Sequence, residues 1–206
     1  VGNPVRKGFD STAKDAAKKA LGLDARPVVL FFGGSLGATA INRAAAELMA
    51  TCQKDKKIQY LHGYGRLGKP LMPKLLAERG VNLSQNPQFR VLEYIDDMDR
   101  FIAAADLVIC RAGAITLSEL AAAKKAAILI PSPNVSNNHQ YYNALAFEKA
   151  GAAVVIEEKD LSEGRITSEF LRLISDRTRL SEMGEAAGRL RFENSAEIIA
   201  KEVLGG

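Results

Sequence analysis

Short apolar runs that alternate with helix-like stretches about six times constrain this chain more than any other feature of it. Val28-Val-Leu-Phe-Phe32 is apolar at every position. A strand that faces water on one side alternates in polarity, whereas a continuous apolar run marks one covered on both faces. Comparable runs follow at Ile58–His62, Phe89–Glu93, Leu107–Cys110, Ala127–Ile130 and Ala153–Ile156. Between them lie helix-like stretches. One places Ala38, Ile41, Ala45, Leu48 and Cys52 on one face. Another, Leu67–Arg79, should be interrupted by Pro70 and Pro73. A short one surrounds Met98–Ala105, one runs from Ile115 to Ala123, and one runs from Asn138 to Ala150 and stops at Gly151. Ser11–Leu21 reads as an amphipathic helix before the first strand, and Glu163–Leu204 as two or three helices after the last. This pattern is α/β: a doubly wound, parallel, six-stranded Rossmann-like sheet with C-terminal helices. The expected strand order is 3-2-1-4-5-6, with its switch point between strands one and four.

Two glycine turns then fall at that switch point. Gly33-Gly-Ser-Leu-Gly37 follows strand one, and Arg111-Ala-Gly-Ala-Ile-Thr-Leu-Ser-Glu119 follows strand four and opens a helix. The first N–H groups of a helix have no internal acceptor and sit at its positive end, so a strand–glycine–helix junction can hold an anion. The amides of Gly33, Gly34 and Gly37, with the Ser35 hydroxyl, suit a diphosphate; a plain tight turn is served as well by the same residues. Gly113 would let a ligand approach the backbone closely. Thr116 and Glu119 share one helical face beside it, a hydroxyl for a phosphate and a carboxylate for a sugar diol. The same spacing fits a capping box, with Thr116 as N-cap and Glu119 reaching back to its amide. On spacing alone that ordinary role is the preferred one.

Other motifs carry less. Gly63-Tyr-Gly-Arg-Leu-Gly68 matches a dinucleotide pattern, but it follows strand two, away from the switch point, and two prolines trail it. Asp97-Met-Asp99 resembles a metal-binding DxD, yet acids at the first turn of a helix explain it. His62 and His139 stand alone, so no metal cluster forms in sequence. Ser136 is the expected N-cap of the helix after strand five, which would set His139 and Gln140 near the sheet's carboxyl edge. Their polar groups suit sugar hydroxyls, although a polar first turn is the simpler reading. Cys52 and Cys110 read as reduced core thiols. A net charge of +4 permits anionic ligands or an anionic membrane surface. The basic residues are scattered among acids without interleaved aromatics, which excludes nucleic acid. No apolar run reaches the roughly 18 residues of a membrane-spanning helix. Val1-Gly-Asn-Pro, without a Met or a signal-peptide pattern, points to a chain that begins within a longer protein.

Six segments occur in one order: Gly2-Asn-Pro-Val-Arg6, Gly33-Gly-Ser-Leu-Gly-Ala38, Tyr94-Ile-Asp-Asp-Met98, Arg111–Glu119, Ile130-Pro-Ser-Pro133, and Asn137-Asn-His-Gln140 with Asn143-Ala144. Together they resemble the MurG family of UDP-N-acetylglucosamine transferases, which convert lipid I to lipid II in peptidoglycan synthesis. The resemblance spans nearly the whole chain. It implies the C-terminal, donor-binding half of a two-domain GT-B glycosyltransferase, with residues 1–10 as interdomain linker, residues 11–206 as the UDP-sugar domain, and the N-terminal acceptor domain absent. By this resemblance the Ile95 backbone reads uracil, with Tyr94 beside it, and Glu119 holds the ribose diol, against the capping role. Ser35, Thr116 and the amides around Ile115 and Gly113 hold the diphosphate, with Arg6 close by. Gln140 and His139 contact the N-acetylglucosamine, although many relatives carry Gln in place of His139.

The family's catalytic base, acceptor loop and membrane-facing patch lie in the other half. No catalytic residue, metal or cofactor is therefore expected here. The implied partners are UDP-N-acetylglucosamine, lipid I through the absent domain, and an anionic membrane surface, with the full protein peripheral on the cytoplasmic face of a bacterial membrane. One departure stands out: Lys124-Lys125-Ala126 replaces a usual Gly-Lys-Pro before strand five, which should alter that turn. Two other readings fit the same residues, an epimerase of similar fold and a non-catalytic module that binds uridine nucleotides.

Overall fold

The computed structural model describes Val5, Phe9 and residues 12–162 and 164–192. Arg6, most of the segment read as linker, and everything after residue 192 lie outside the described residues. Six strands, β1 (Val28–Phe32), β2 (Gln59–Gly63), β3 (Phe89–Leu92), β4 (Leu107–Cys110), β5 (Ala127–Leu129) and β6 (Ala153–Val155), form one sheet. Every neighbouring pair is parallel, and the order is β3-β2-β1-β4-β5-β6, as the alternation of the sequence requires. The helices are α1 (Lys14–Ala20), α2 (Thr39–Cys52), α3 (Leu71–Glu78), α4 (Met98–Ala104), α5 (Ala114–Ala122), α6 (His139–Lys149), α7 (Arg165–Ile174) and α8 (Arg177–Gly188). Among the described residues no helix is long and apolar enough to cross a membrane.

Strand β1 shows why its run is apolar throughout. Val29 and Phe31 point to one face, where Ile41 and Leu48 of α2, Met72 of α3 and Phe170 of α7 meet them. Val28, Leu30 and Phe32 point to the other, against Phe101 of α4, Leu120 of α5 and Phe147 of α6. Both faces are thus covered, and each fully buried side chain of this kind contributes about 1.5–3 kcal/mol. Phe9 is buried on the second face, so the chain is already packed against the sheet before α1. Cys52 and Cys110 are buried and unbridged.

Two local expectations change. Pro70 and Pro73 do not interrupt a helix; they start one. Pro70 precedes α3 and Pro73 occupies its third position, where the amide has no intrahelical acceptor to lose. At the end of α5 the departure at Lys124-Lys125-Ala126 leaves the turn in place. Lys124 takes a left-handed φ of 51°, its N–H reaches Ala121 O (3.2 Å), and Lys125 N–H reaches Leu120 O (3.0 Å). That is the helix-ending turn glycine usually makes, here made by lysine at a conformational cost. The Lys124 carbonyl and side chain lie against Gly184 and Gly188 of α8, where a Cβ would come within 2.5 Å and 3.0 Å of them.

Candidate functional site

At the switch point the carboxyl ends of β1, β2 and β4 and the loop after β3 enclose a cavity of about 390 Å³. Gly34, Ser35, Tyr94, Ile95, Ile115, Thr116 and Glu119 all line it, although they come from two separate loops and the first turns of α5. Phe32, Gly63, Gly65, Glu93, Asp96 and Met98 complete its wall. Ile95 is buried, Glu119 is 8% exposed, and Tyr94 and Ile115 stand out at the rim. The other expected residues are absent from the lining. Gly33, Gly37, Gly113, His139 and Gln140 do not line it, and Arg6 lies outside the described residues.

The loop after β1 is held by the loop after β2, which the sequence reading placed away from the crevice. That placement is corrected, because Gly63 and Gly65 are part of the cavity wall. Gly37 (φ 83°) and Gly65 (φ 73°) both need a left-handed backbone. A Cβ on Gly37 would lie 2.0 Å from Tyr64 O, and one on Gly65 would lie 2.1 Å from Gly37 N. Leu67 N–H donates to Leu36 O at 3.0 Å, which joins the loops backbone to backbone. Buried Asn42 of α2 donates to Tyr64 O at 3.1 Å from below. At Gly63 a Cβ would meet Ile95 Cδ1 at 2.9 Å, so that glycine makes room for the Ile95 side chain. Gly63 and Gly65 therefore clear space for Ile95 and for backbone, and Gly68 clears it for the Asn42 side chain. A 3-10 turn, Arg66–Gly68, follows them instead of a long helix.

Helix α5 opens directly onto the cavity. Its N-cap is Gly113, no side chain caps it, and the first i−4 bond runs from Leu117 N–H to Gly113 O (3.0 Å). The amides of residues 114–116 thus have no intrahelical acceptor. Thr116 sits in the third helical position, which overturns the capping box: its hydroxyl is one turn too late to cap. A Cβ on Gly113 would touch only Thr116 Oγ1, at 3.9 Å, so no protein atom demands glycine there. The loop before α5 is fixed from outside the cavity. Arg111 Nη1 donates to Ile130 O and Pro131 O (both 3.1 Å), and its Nη2 pairs with Glu158 at 2.7 Å. Asn143 Nδ2 of α6 donates to Ala112 O at 3.3 Å. The sequence reading gave Arg111 and Asn143 no role; only their places in the quoted segments marked them.

The start of α6 differs from expectation. Ser136 does not cap it, because Asn137 (φ 53°) and Asn138 (φ 51°) are both left-handed and separate Ser136 from the helix. Gln140 Oε1 accepts from Ser132 N–H (3.0 Å), and His139 Nδ1 lies 2.8 Å from Ser136 O. Both side chains order the β5–α6 loop. Asp97 precedes α4 and pairs with Arg100 at 2.8 Å. Among the described residues no three His, Cys, Asp or Glu side chains cluster as metal ligands. His62 is fully buried beside Phe31, and burial pushes its imidazole down to about 4.

This arrangement can do three things chemically. Helix amides and two hydroxyls can hold an oxyanion, a buried carboxylate can accept from a diol, and the apolar wall at Phe32 and Ile95 can pack a flat ring.

Known proteins are similar to this chain. Residues 28–203 match the glycosyltransferase family 28 C-terminal domain. Over 200 residues the chain is 41% identical to the UDP-N-acetylglucosamine--N-acetylmuramyl-(pentapeptide) pyrophosphoryl-undecaprenol N-acetylglucosamine transferase of Acetivibrio thermocellus, covering 97% of this chain and 53% of that protein. The enzyme of the same name from Caldicellulosiruptor saccharolyticus is 38% identical over 201 residues, covering 98% and 53%. The crystal structure of Acinetobacter baumannii MurG superposes with a TM-score of 0.78 at 25% identity, over 98% of this chain and 56% of that one. The chain spans about half the length of the curated relatives it matches.

Proposed function

The chain belongs to the family of glycosyltransferase family 28 C-terminal domains, and from that premise we propose that it is the UDP-N-acetylglucosamine-binding half of an inverting glycosyltransferase that makes lipid II from lipid I. One observation carries the reading. Ser35 and Tyr94–Ile95 from two loops and Ile115–Glu119 from the first turns of α5 meet in one cavity at the open end of that helix. In this reading uracil packs on Phe32 and Ile95 and is read by the Ile95 backbone. Glu119 takes the ribose diol, and Ser35, Thr116 and the amides of residues 114–116 take the diphosphate.

The chemistry follows from where charge grows. An acceptor hydroxyl displaces UDP from the anomeric carbon, with inversion, and negative charge builds on the departing diphosphate. Amides fixed by the α5 terminus need no reorganisation at that moment, and one such donor is typically worth about 2.7–4 kcal/mol. Arg111 and Asn143 act as positioning residues, since they hold the loop that aims those amides. His139 and Gln140 order the loop that would face the sugar. The acceptor, the base that deprotonates it and the membrane contact belong to the other half, with the complete protein at the cytoplasmic face of a bacterial membrane.

Calorimetry with UDP, ADP and NAD tests the reading. UDP should bind most tightly, and EDTA should leave that binding unchanged; NAD binding as tight as UDP overturns it. With a soluble lipid I analogue residues 1–206 alone should form no disaccharide, because alignment of the acceptor is assigned to the other half. Robust transfer would place the catalytic machinery within this chain.

A further inference from the structure

The opposite edge of the sheet holds a second cavity, of about 410 Å³, formed where the amino ends of β1, β4 and β5 meet α1 and α8. Lys14, Lys18, Lys124, Lys125 and Arg177 line it, against the carboxylates of Asp15 and Asp106. Asp106 is already committed. Its Oδ1 pairs with Lys14, while its Oδ2 accepts the Val28 N–H at 2.8 Å and lies 3.7 Å from Lys18 Nζ. Lys18 is buried and donates to Arg26 O at 2.7 Å. Lys125 Nζ donates to Ala103 O (2.7 Å) and Ala105 O (2.9 Å). Two ammonium groups, Lys14 and Lys18, thus share the Asp106 carboxylate, and a third, Lys125, lines the same cavity with neutral carbonyls as its hydrogen-bond acceptors. Lys124 reaches outward to Glu185 of α8 at 3.1 Å.

Like charges gathered in a partly dry cavity are unfavourable unless a counter-charge completes them. Lys125 shows the strain: burial, with Lys14 alongside, holds its ammonium down to about 8. Lysines that served only to staple strand ends would need one acceptor each, not a shared pocket with room for a ligand.

We infer that this amino-edge cavity is a binding site for a phosphate-type oxyanion, held by Lys14, Lys18, Lys125 and Arg177 and separate from the donor crevice. The shared chemistry is a phosphoryl group, either free or on a lipid headgroup. The site does not depend on the nucleotide reading, because the sheet lies between the two cavities.

Nitrogen-15 NMR of the whole chain, titrated with pyrophosphate while UDP saturates the crevice, tests it. The amides of Asp106 and Ala126 should shift with a saturating curve. Lys14→Gln combined with Arg177→Gln, both exposed positions, should weaken that curve by about tenfold or more and leave UDP affinity unchanged. Co-sedimentation with phosphatidylglycerol and phosphatidylcholine vesicles separates the sources. Capture by phosphatidylglycerol alone, lost in the double variant, assigns a headgroup, whereas pyrophosphate binding without capture assigns a free phosphate. No shift at Asp106 and Ala126 up to millimolar pyrophosphate, or shifts indifferent to the double variant, overturn the proposal and leave the lysines as structural ties.

Discussion

The two edges of this sheet confront negative charge in opposite ways. At the carboxyl edge, glycine turns and the open end of α5 present backbone amides and hydroxyls, with a carboxylate, Glu119, deep in the wall. At the amino edge, full side-chain charges from α1, α8 and the α5–β5 turn line one cavity, and two of them, Lys14 and Lys18, share one aspartate. Amides fixed by a fold cannot drift and can be aimed at one atom, which suits charge that develops during a reaction. Lysines are flexible point charges, which suits holding an anion without demanding its geometry. The difference teaches that fixed backbone donors suit an anion held in one defined geometry, and clustered side-chain charge an anion held without a fixed one.

The sharpest way to break this contrast is at the joined loops. Gly65→Ala would put a Cβ 2.1 Å from Gly37 N in a left-handed position. It should destabilise the fold by about 3 kcal/mol or more and weaken UDP binding beyond 100-fold, roughly, while pyrophosphate shifts at Asp106 persist. Urea unfolding and calorimetry measure both, and wild-type UDP affinity would show that the crevice does not rely on that contact.

Next to Gly63 in the cavity wall, His62 offers a pH test. Its folded value of about 4 is below the ordinary 6.5, so the unfolded chain binds the proton more readily. Stability from this group is full above pH 6.5 and falls as pH drops toward about 4, by up to about 3 kcal/mol. Denaturant midpoints across that window should show the fall, and His62→Leu should flatten it; an unchanged slope in the variant assigns the loss elsewhere.

Glu119→Ala separates ligand from fold at the carboxyl edge. A charge-assisted bond to a ribose hydroxyl is worth about 1.5–3 kcal/mol, so UDP affinity should fall by that much with little change in melting. Unchanged affinity with lower stability would return Glu119 to a structural role. The smallest effect is expected at Lys124→Gly. Relief of the left-handed lysine should raise stability by up to about 1 kcal/mol, offset in part by loss of the exposed Glu185 pair. A lower melting temperature would mean that the lysine stem packed along Gly188 matters more than its backbone.

The fold was legible because the apolar run at Val28–Phe32 admits only a strand covered on both faces, and alternation then dictates the order. Much of the crevice was legible for the same reason: a doubly wound order brings the loops after β1 and β4 together whatever their sequence. What escaped depended on exact backbone placement. Spacing alone does not tell Thr116 from a cap; the backbone does, because the N-cap of α5 is Gly113. Ser136 failed as a cap because two asparagines turn left-handed after it, a conformation asparagine tolerates but does not announce. The amino-edge lysines looked scattered because Lys14 and its partner Asp106 are 92 positions apart. Charge clusters made by the fold have no signature in a window of sequence.

The contact between Gly37 and Gly65 also sets a rule for anyone recombining this domain. Two loops that interpenetrate at the level of main-chain atoms form a single replaceable part, although they are distant in the chain. A graft that imports residues 33–37 from another protein of this fold and keeps residues 63–68 joins surfaces that were never fitted to each other. Importing both together carries the fit along. Crossover points for hybrids that aim at a different nucleotide sugar therefore belong before β1 and after the turn at Arg66–Gly68, and not in the helix between the two loops.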